Sequence, residues 1–245
     1  MKCKPYSLSS FFGFIILITG ACSDSVETRK QRHLLKGNEF VKLHNLAEAE
    51  RYFNAALELD SCFADAWNNL GTIYFSQRKY SEALESYNRA LNCKPNFMDA
   101  YFNRANAAYE SQEYYRALAD LEKVEKYKPD TLVVYFSKGL VLTKLRRYDE
   151  ALRAFRTAQA LDAENLEVIV NIGTLYYYKK QYDSARWLFQ DILRENAREP
   201  NSLNALAMIA AEQQQYPEAM QWITRALSAV PDEPYFLNNR GYIYL

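Results

Sequence analysis

Histidine is scarce in this 245-residue chain, with only His33 and His44. A metal centre draws on several His, Cys, Asp or Glu ligands at set spacings. None gather around this pair, so both are read as surface or packing residues and no metal site is expected. Glycine is also sparse, with seven in all. They form no Gly-rich phosphate loop, and no nucleophile motif accompanies them. An excess of either charge is missing too, with 30 Lys and Arg against 30 Asp and Glu. Nucleic-acid binders carry a basic face, and none is expected here. Asp149, Glu150 and Asp183 stand at the starts of helical patterns. Negative charge there favours the helix dipole, which accounts for them without chemistry. No cofactor and no enzymatic activity is expected. No apolar run reaches the roughly 20 residues that a membrane-crossing helix needs.

The few glycines that follow residue 21 share one slot. Gly37, Gly71, Gly139, Gly173 and Gly241 are spaced by 34 residues or twice that, and Ala105 and Ala207 fill the gaps. An alanine column keeps the same step through Ala49, Ala83, Ala117, Ala151, Ala185 and Ala219. So does a column of Leu46, Tyr80, Tyr114, Tyr148, Tyr182 and Tyr216. A third runs through Phe53, Tyr87, Leu121, Phe155, Phe189 and Ile223, and prolines recur at Pro95, Pro129 and Pro231. No copy carries an insertion or deletion.

Each unit holds two amphipathic helical patterns. Trp67, Leu70, Gly71 and Tyr74 fall on one face, and Tyr80, Ala83, Leu84, Tyr87, Ala90 and Leu91 on another. A mid-helix Gly costs about 1 kcal/mol against Ala, so its recurrence in one slot implies two helices in close approach. Pro95 stops the second helix. This unit resembles the tetratricopeptide repeat (TPR), whose W-x2-L-G-x2-Y…A-x3-F…P pattern Trp67 to Pro95 matches closely. The resemblance covers residues 30–245. It implies an all-α, right-handed TPR superhelix, an α-solenoid of six full helix-turn-helix repeats (30–63, 64–97, 98–131, 132–165, 166–199, 200–233) and a half repeat, 234–245. The first copy is degenerate, with His33 and Lys36 at positions where an aromatic and a leucine are typical.

The N-terminal residues have a different character. Lys2 and Lys4 form a positive region, Phe11 to Ile18 an apolar core, and Thr19-Gly20-Ala21 a small-residue cleavage region followed by Cys22. This is a secretory signal, expected over 1–21. With Cys22 at the junction it resembles a bacterial lipoprotein signal. That resemblance implies that Cys22 becomes the lipid-bearing first residue of a membrane-anchored envelope protein. Ordinary cleavage after Ala21, giving a secreted or periplasmic protein, also fits the small residues, and an uncleaved leader would leave Cys22 without a role. Residues 22–29 are expected to form the anchor and a polar tether. Cys62 lies in the loop ending the first repeat and Cys93 near the end of the second helix of the next. Sites offset in this way are expected to exceed the roughly 7 Å Cα limit for a disulfide, leaving two unpaired thiols.

The TPR resemblance places the first helix of each repeat on a concave face, where such superhelices hold peptides or partner helices. Two residues before the small slot stand Asn69, Asn103, Ser137, Asn171, Ala205 and Asn239. An amide offers both a donor and an acceptor, so this column can pair with a peptide backbone whatever its sequence. Asn68, Asn106, Asn204 and Asn238 lie beside it, with Phe75, Phe102, Tyr109, Phe136, Leu140, Tyr177, Tyr178 and Tyr242 on the same face. Aromatics with few charges suit an interface. The alternative is a solvated surface whose aromatics pack between repeats. The carboxylate clamp of chaperone-binding TPR domains is not matched: Asn38 and Asn69 fit, but Leu34, Asp99 and Asn103 replace the basic residues.

The pattern stops after one helix of a seventh repeat. Either more chain follows, which is the first expectation, or a partner or second copy completes the end, giving self-association through 234–245. The function expected is a non-catalytic scaffold in the bacterial cell envelope, membrane-anchored through Cys22, with a protein or peptide partner. The alternative is the substrate-recruiting arm of a larger enzyme, of glycosyltransferase type.

Overall fold

The computed structural model describes residues 25–244. Among them are thirteen α-helices and no strand, the all-α solenoid expected from the repeat. They are α1 (Val26–Lys42), α2 (Leu46–Leu59), α3 (Ala64–Ser76), α4 (Tyr80–Cys93), α5 (Met98–Glu110), α6 (Tyr114–Tyr127) and α7 (Leu132–Lys144). They continue as α8 (Tyr148–Leu161), α9 (Leu166–Tyr178), α10 (Tyr182–Glu195), α11 (Pro200–Glu212), α12 (Tyr216–Ala229) and α13 (Pro234–Tyr244). Each odd-numbered helix from α1 to α11 packs antiparallel on the next even one, and the pairs stack in chain order. Odd helices also touch the odd helices of adjacent repeats (α3 with α5, α5 with α7, α9 with α11, α11 with α13), so first helices of these neighbouring repeats lie side by side. No helix among the described residues is long and apolar enough to cross a membrane.

The turn inside each repeat uses a left-handed residue that is not glycine. His44, Arg78, Gln112, Arg146, Lys180 and Gln214 have φ between 56° and 63°. At the end of α1, the Asn45 N–H reaches the Phe40 carbonyl at 2.9 Å and the His44 N–H reaches Val41 at 3.0 Å. The same pair of bonds closes α3, α5, α7, α9 and α11. This is the Schellman ending, which satisfies helix-end carbonyls.

Glycine is used inside the first helices instead. A Cβ on Gly37, Gly71, Gly139 or Gly173 would stand 2.4, 2.5, 2.6 or 2.7 Å from a ring carbon of Phe53, Tyr87, Phe155 or Phe189. Each ring lies sixteen positions further along, on the partner helix, and is essentially inaccessible to solvent. Where the slot is Ala105 or Ala207, the residue sixteen positions on is the smaller Leu121 or Ile223. Small slot with ring, larger slot with aliphatic: the volumes compensate, as close packing requires.

Two expectations need correction. The polar tether does not extend to residue 29, because α1 begins at Val26. Ser25 caps it, its Oγ accepting from the Thr28 N–H at 3.1 Å, and Lys30 joins Glu27 to Asp60 of the next loop. That cap and ion pair order a stretch whose composition alone reads as solvated. Cys62 and Cys93, expected as free thiols, form a disulfide with Cα atoms 5.3 Å apart. The reason lies in the hairpin. Cys62 precedes α3, and α3 runs antiparallel to α4, so the start of α3 lies beside the end of α4, where Cys93 sits.

Candidate functional site

The asparagines of the first helices fall into two groups. In the first, amides are joined to one another across repeats. Asn69 donates to Asn38 Oδ1 at 2.8 Å, Asn103 to Asn68 Oδ1 at 3.0 Å, and Asn239 to Asn204 Oδ1 at 2.8 Å. Asn68 also donates to Asn69 at 3.4 Å. Asn68, Asn204 and Asn239 are buried. Buried amides must be paired, and these pair with each other, so much of the column is a device for docking repeats.

The second group stays open. Asn171 donates only to the Glu167 carbonyl of its own helix, at 2.8 Å, leaving its Oδ1 without a partner among the described residues. Asn106 makes no side-chain hydrogen bond among the described residues, and it is half-buried on α5. The aromatics divide similarly. Phe75 packs on Tyr80, Tyr109 on Tyr114, and Phe136 edge-on against Phe155, with ring centroids 5.6–5.7 Å apart. These three serve the contact between first and second helices. Phe102 lies beside Asn103 in a shallow hollow of about 250 Å³ between α5 and α7.

Tyr177 lines a cavity on the same face. A cavity of about 520 Å³ opens between α9, α11 and α13. Val170, Asn171, Tyr177 and Tyr178 line one side, Asn201, Asn204, Ala205 and Met208 the floor, and Tyr235 the far wall. Tyr178 stacks on Tyr148, centroids 5.5 Å apart, and Tyr177 leans on Tyr182 and Tyr178. Burial holds the Tyr177 and Tyr178 phenols above their ordinary value of 10, helped at Tyr177 by the Glu212 charge. Both are therefore neutral hydroxyls at physiological pH, able to donate a hydrogen bond. Glu199 also borders the cavity, but its carboxylate is engaged by the Asn201 and Ser202 N–H groups at the start of α11. The lining thus combines apolar rings with neutral amides and hydroxyls, and it also includes Glu167.

Asn201, Met208 and Tyr235 were not among the groove residues expected from sequence. The signal was present in the 34-residue step: Glu167, Asn201 and Tyr235 occupy one column, and Thr174 and Met208 another. A second cavity, about 570 Å³, lies between α8, α9 and α10 and is lined by Arg156, Tyr176, Asp183 and the exposed Trp187. Its walls come from one repeat junction, whereas the inner cavity spans three repeats. Among the described residues no three His, Cys, Asp or Glu side chains gather closely enough to hold a metal ion. Cys22 lies outside the described residues.

Family models described as tetratricopeptide repeat match residues 31–61, 64–97, 102–165 and 170–234. The chain belongs to the tetratricopeptide repeat family. TPR proteins serve as protein-interaction scaffolds. No curated protein matches the chain by sequence. Among solved structures, pilF of Pseudomonas aeruginosa superposes with a TM-score of 0.69 at 19% identity, covering 89% of this chain and 99% of its own. A tetratricopeptide repeat protein from Parabacteroides merdae gives 0.66 at 19% identity, over 89% and 99%. YrrB, described as a TPR protein with an unusual peptide-binding site, gives 0.60 at 20% identity, over 77% and 97%. These likenesses concern the TPR fold.

Proposed function

We propose that this TPR protein is a non-catalytic scaffold that holds an extended peptide segment of a partner protein in the cavity between α9, α11 and α13. The observation that carries the reading is the cavity's lining: Asn171 and Asn201 offer amides, and Tyr177, Tyr178 and Tyr235 offer rings, on a surface spanning three repeats. Amides meet a peptide backbone without regard to sequence, and rings anchor its side chains. The scaffold acts in the bacterial cell envelope, anchored by lipid on Cys22. Two features support this part: the leader ending in Ala21-Cys22 and the Cys62–Cys93 disulfide, a bond that persists in oxidising compartments such as the periplasm.

The test is capture from envelope extract with the native chain and with a Tyr178→Ala, Asn201→Ala, Tyr235→Ala variant, chosen because none of these side chains makes an inter-repeat amide hydrogen bond, with circular dichroism checking that loss of the Tyr178–Tyr148 stack leaves the fold intact. A protein captured by the native chain and lost with the variant is the expected result; equal capture overturns the groove assignment. Separately, Cys22→Ser is expected to release the protein from membranes. Unchanged membrane fractionation would remove the anchor from the account.

A further inference from the structure

The inner cavity offers rings and acids but no cation. Among the described residues, no lysine or arginine lines it. Its two carboxylates differ. Glu199 is taken up by the Asn201 and Ser202 N–H groups. Glu167 is exposed, and its side chain has no ion pair or hydrogen bond among the described residues. A third acid, Glu212 at the end of α11, reaches the Tyr182 hydroxyl, and its charge is felt by Tyr177. The site is therefore negative, although the whole chain balances 30 basic against 30 acidic residues.

The rings suit the same kind of guest. Tyr177 and Tyr178 adjoin on α9 with centroids 5.7 Å apart, and Tyr235 faces them from α13. Tyr178 and Tyr235 are 43% and 58% exposed. The face of an aromatic ring is negative and attracts a cation within about 6 Å. Other rings of this chain hold cations of its own: Arg89 lies over Trp67 at 4.7 Å, Arg104 over Tyr101 at 5.3 Å and Arg225 over Trp222 at 4.7 Å. Among the described residues, no lysine or arginine lies over Tyr177, Tyr178 or Tyr235. Resting on the groove reading above, we propose that the bound segment of the partner is selected by a lysine or arginine side chain, seated among the Tyr177, Tyr178 and Tyr235 rings in the field of Glu167 and Glu212. The amides hold the segment's backbone whatever its sequence. The ring cluster and the acids supply the preference that amides lack, and they repel an acidic segment.

The probe is a displayed library of random short peptides, selected on the full chain in detergent. Peptides that the Tyr178→Ala, Asn201→Ala, Tyr235→Ala chain no longer holds are those of the cavity. They are expected to share a lysine or arginine at one position. A fluorescent copy of one such peptide is then followed by anisotropy. Replacing its basic residue with glutamine should weaken binding to the native chain by about tenfold, a difference of about 1.4 kcal/mol. The same replacement should matter little to the Tyr235→Leu chain, which keeps apolar bulk without a ring, and should matter fully to Tyr235→Phe. Glu167→Lys with Glu212→Lys should turn the selection toward acidic residues. Circular dichroism checks that each variant keeps its helices. Cavity peptides with no shared basic residue overturn this inference and leave the groove reading standing. So does a basic residue whose loss weakens binding equally for native and Tyr235→Leu chains. A library in which no peptide depends on the cavity overturns the groove reading, and this inference with it.

Discussion

Asn239 donates to Asn204 at 2.8 Å across two repeats, with both side chains buried, and Asn103 reaches Asn68 over the same 35-residue step. The asparagine column therefore fixes how one repeat sits on the next before it can serve a ligand. Asn239→Ala leaves the Asn204 amide buried and unpaired, which costs about 1–3 kcal/mol. Asn171→Ala breaks one bond to its own helix and is expected to change stability by less than about 0.5 kcal/mol. Urea unfolding of the two variants checks this. Equal effects would mean that the inter-repeat pairs are not structural.

The glycine slots give a second contrast. Gly71→Ala places a Cβ 2.5 Å from the Tyr87 ring. Overpacking of that kind costs about 1–3 kcal/mol, against a helix-propensity gain of about 1 kcal/mol. Thermal melts should show Gly71→Ala no more stable than native. Tyr87→Leu should relieve Gly71→Ala, because Ala105 with Leu121 is already a native pairing.

The six repeat frames, the helix pairs and the small-to-large packing were legible because a strict 34-residue step shows in single residue types. The disulfide was not, since pairing was judged from the offset between repeats rather than from the antiparallel α3–α4 hairpin that brings Cys62 to Cys93. The candidate groove was half legible. Asn171 and Tyr177 belong to the cavity, whereas Asn69, Asn103 and Asn239 are joined to neighbouring amides. Whether an amide faces a ligand or the next repeat depends on the side chain one repeat away, and one column read alone does not reveal it.

The disulfide has a measurable weight. It joins residues 31 apart, and closing a loop of that size stabilises by about 3–4 kcal/mol in the chain-entropy account. Cys62→Ser with Cys93→Ser should lower the unfolding free energy by that order. Denatured, unreduced protein should show no thiol reactivity at either position. Two reactive thiols there would overturn the assignment.

Glu218 ties α12 to α10, accepting from Trp222 Nε1 at 3.0 Å and from Arg186 at 2.8 Å. The Trp222 bond, and after it Arg186, lowers its carboxyl below the ordinary 4.5. A carboxyl lowered in the folded state stabilises fully above its unfolded value, and that stabilisation disappears as pH falls through the folded one. The melting-temperature difference between native protein and Glu218→Gln should therefore be constant at neutral pH and shrink as pH drops below 4.5. A difference that grows on acidification contradicts the sign.

The central claim is that partners enter the inner cavity rather than the outer one. The direct measurement is photocrosslinking in intact cells, with a photoreactive phenylalanine analogue at Tyr178 in the inner cavity or at Trp187 in the outer one. The account predicts a discrete protein adduct at position 178 that disappears with Asn201→Ala and Tyr235→Ala, and none at position 187. Adducts at 187 alone would contradict it.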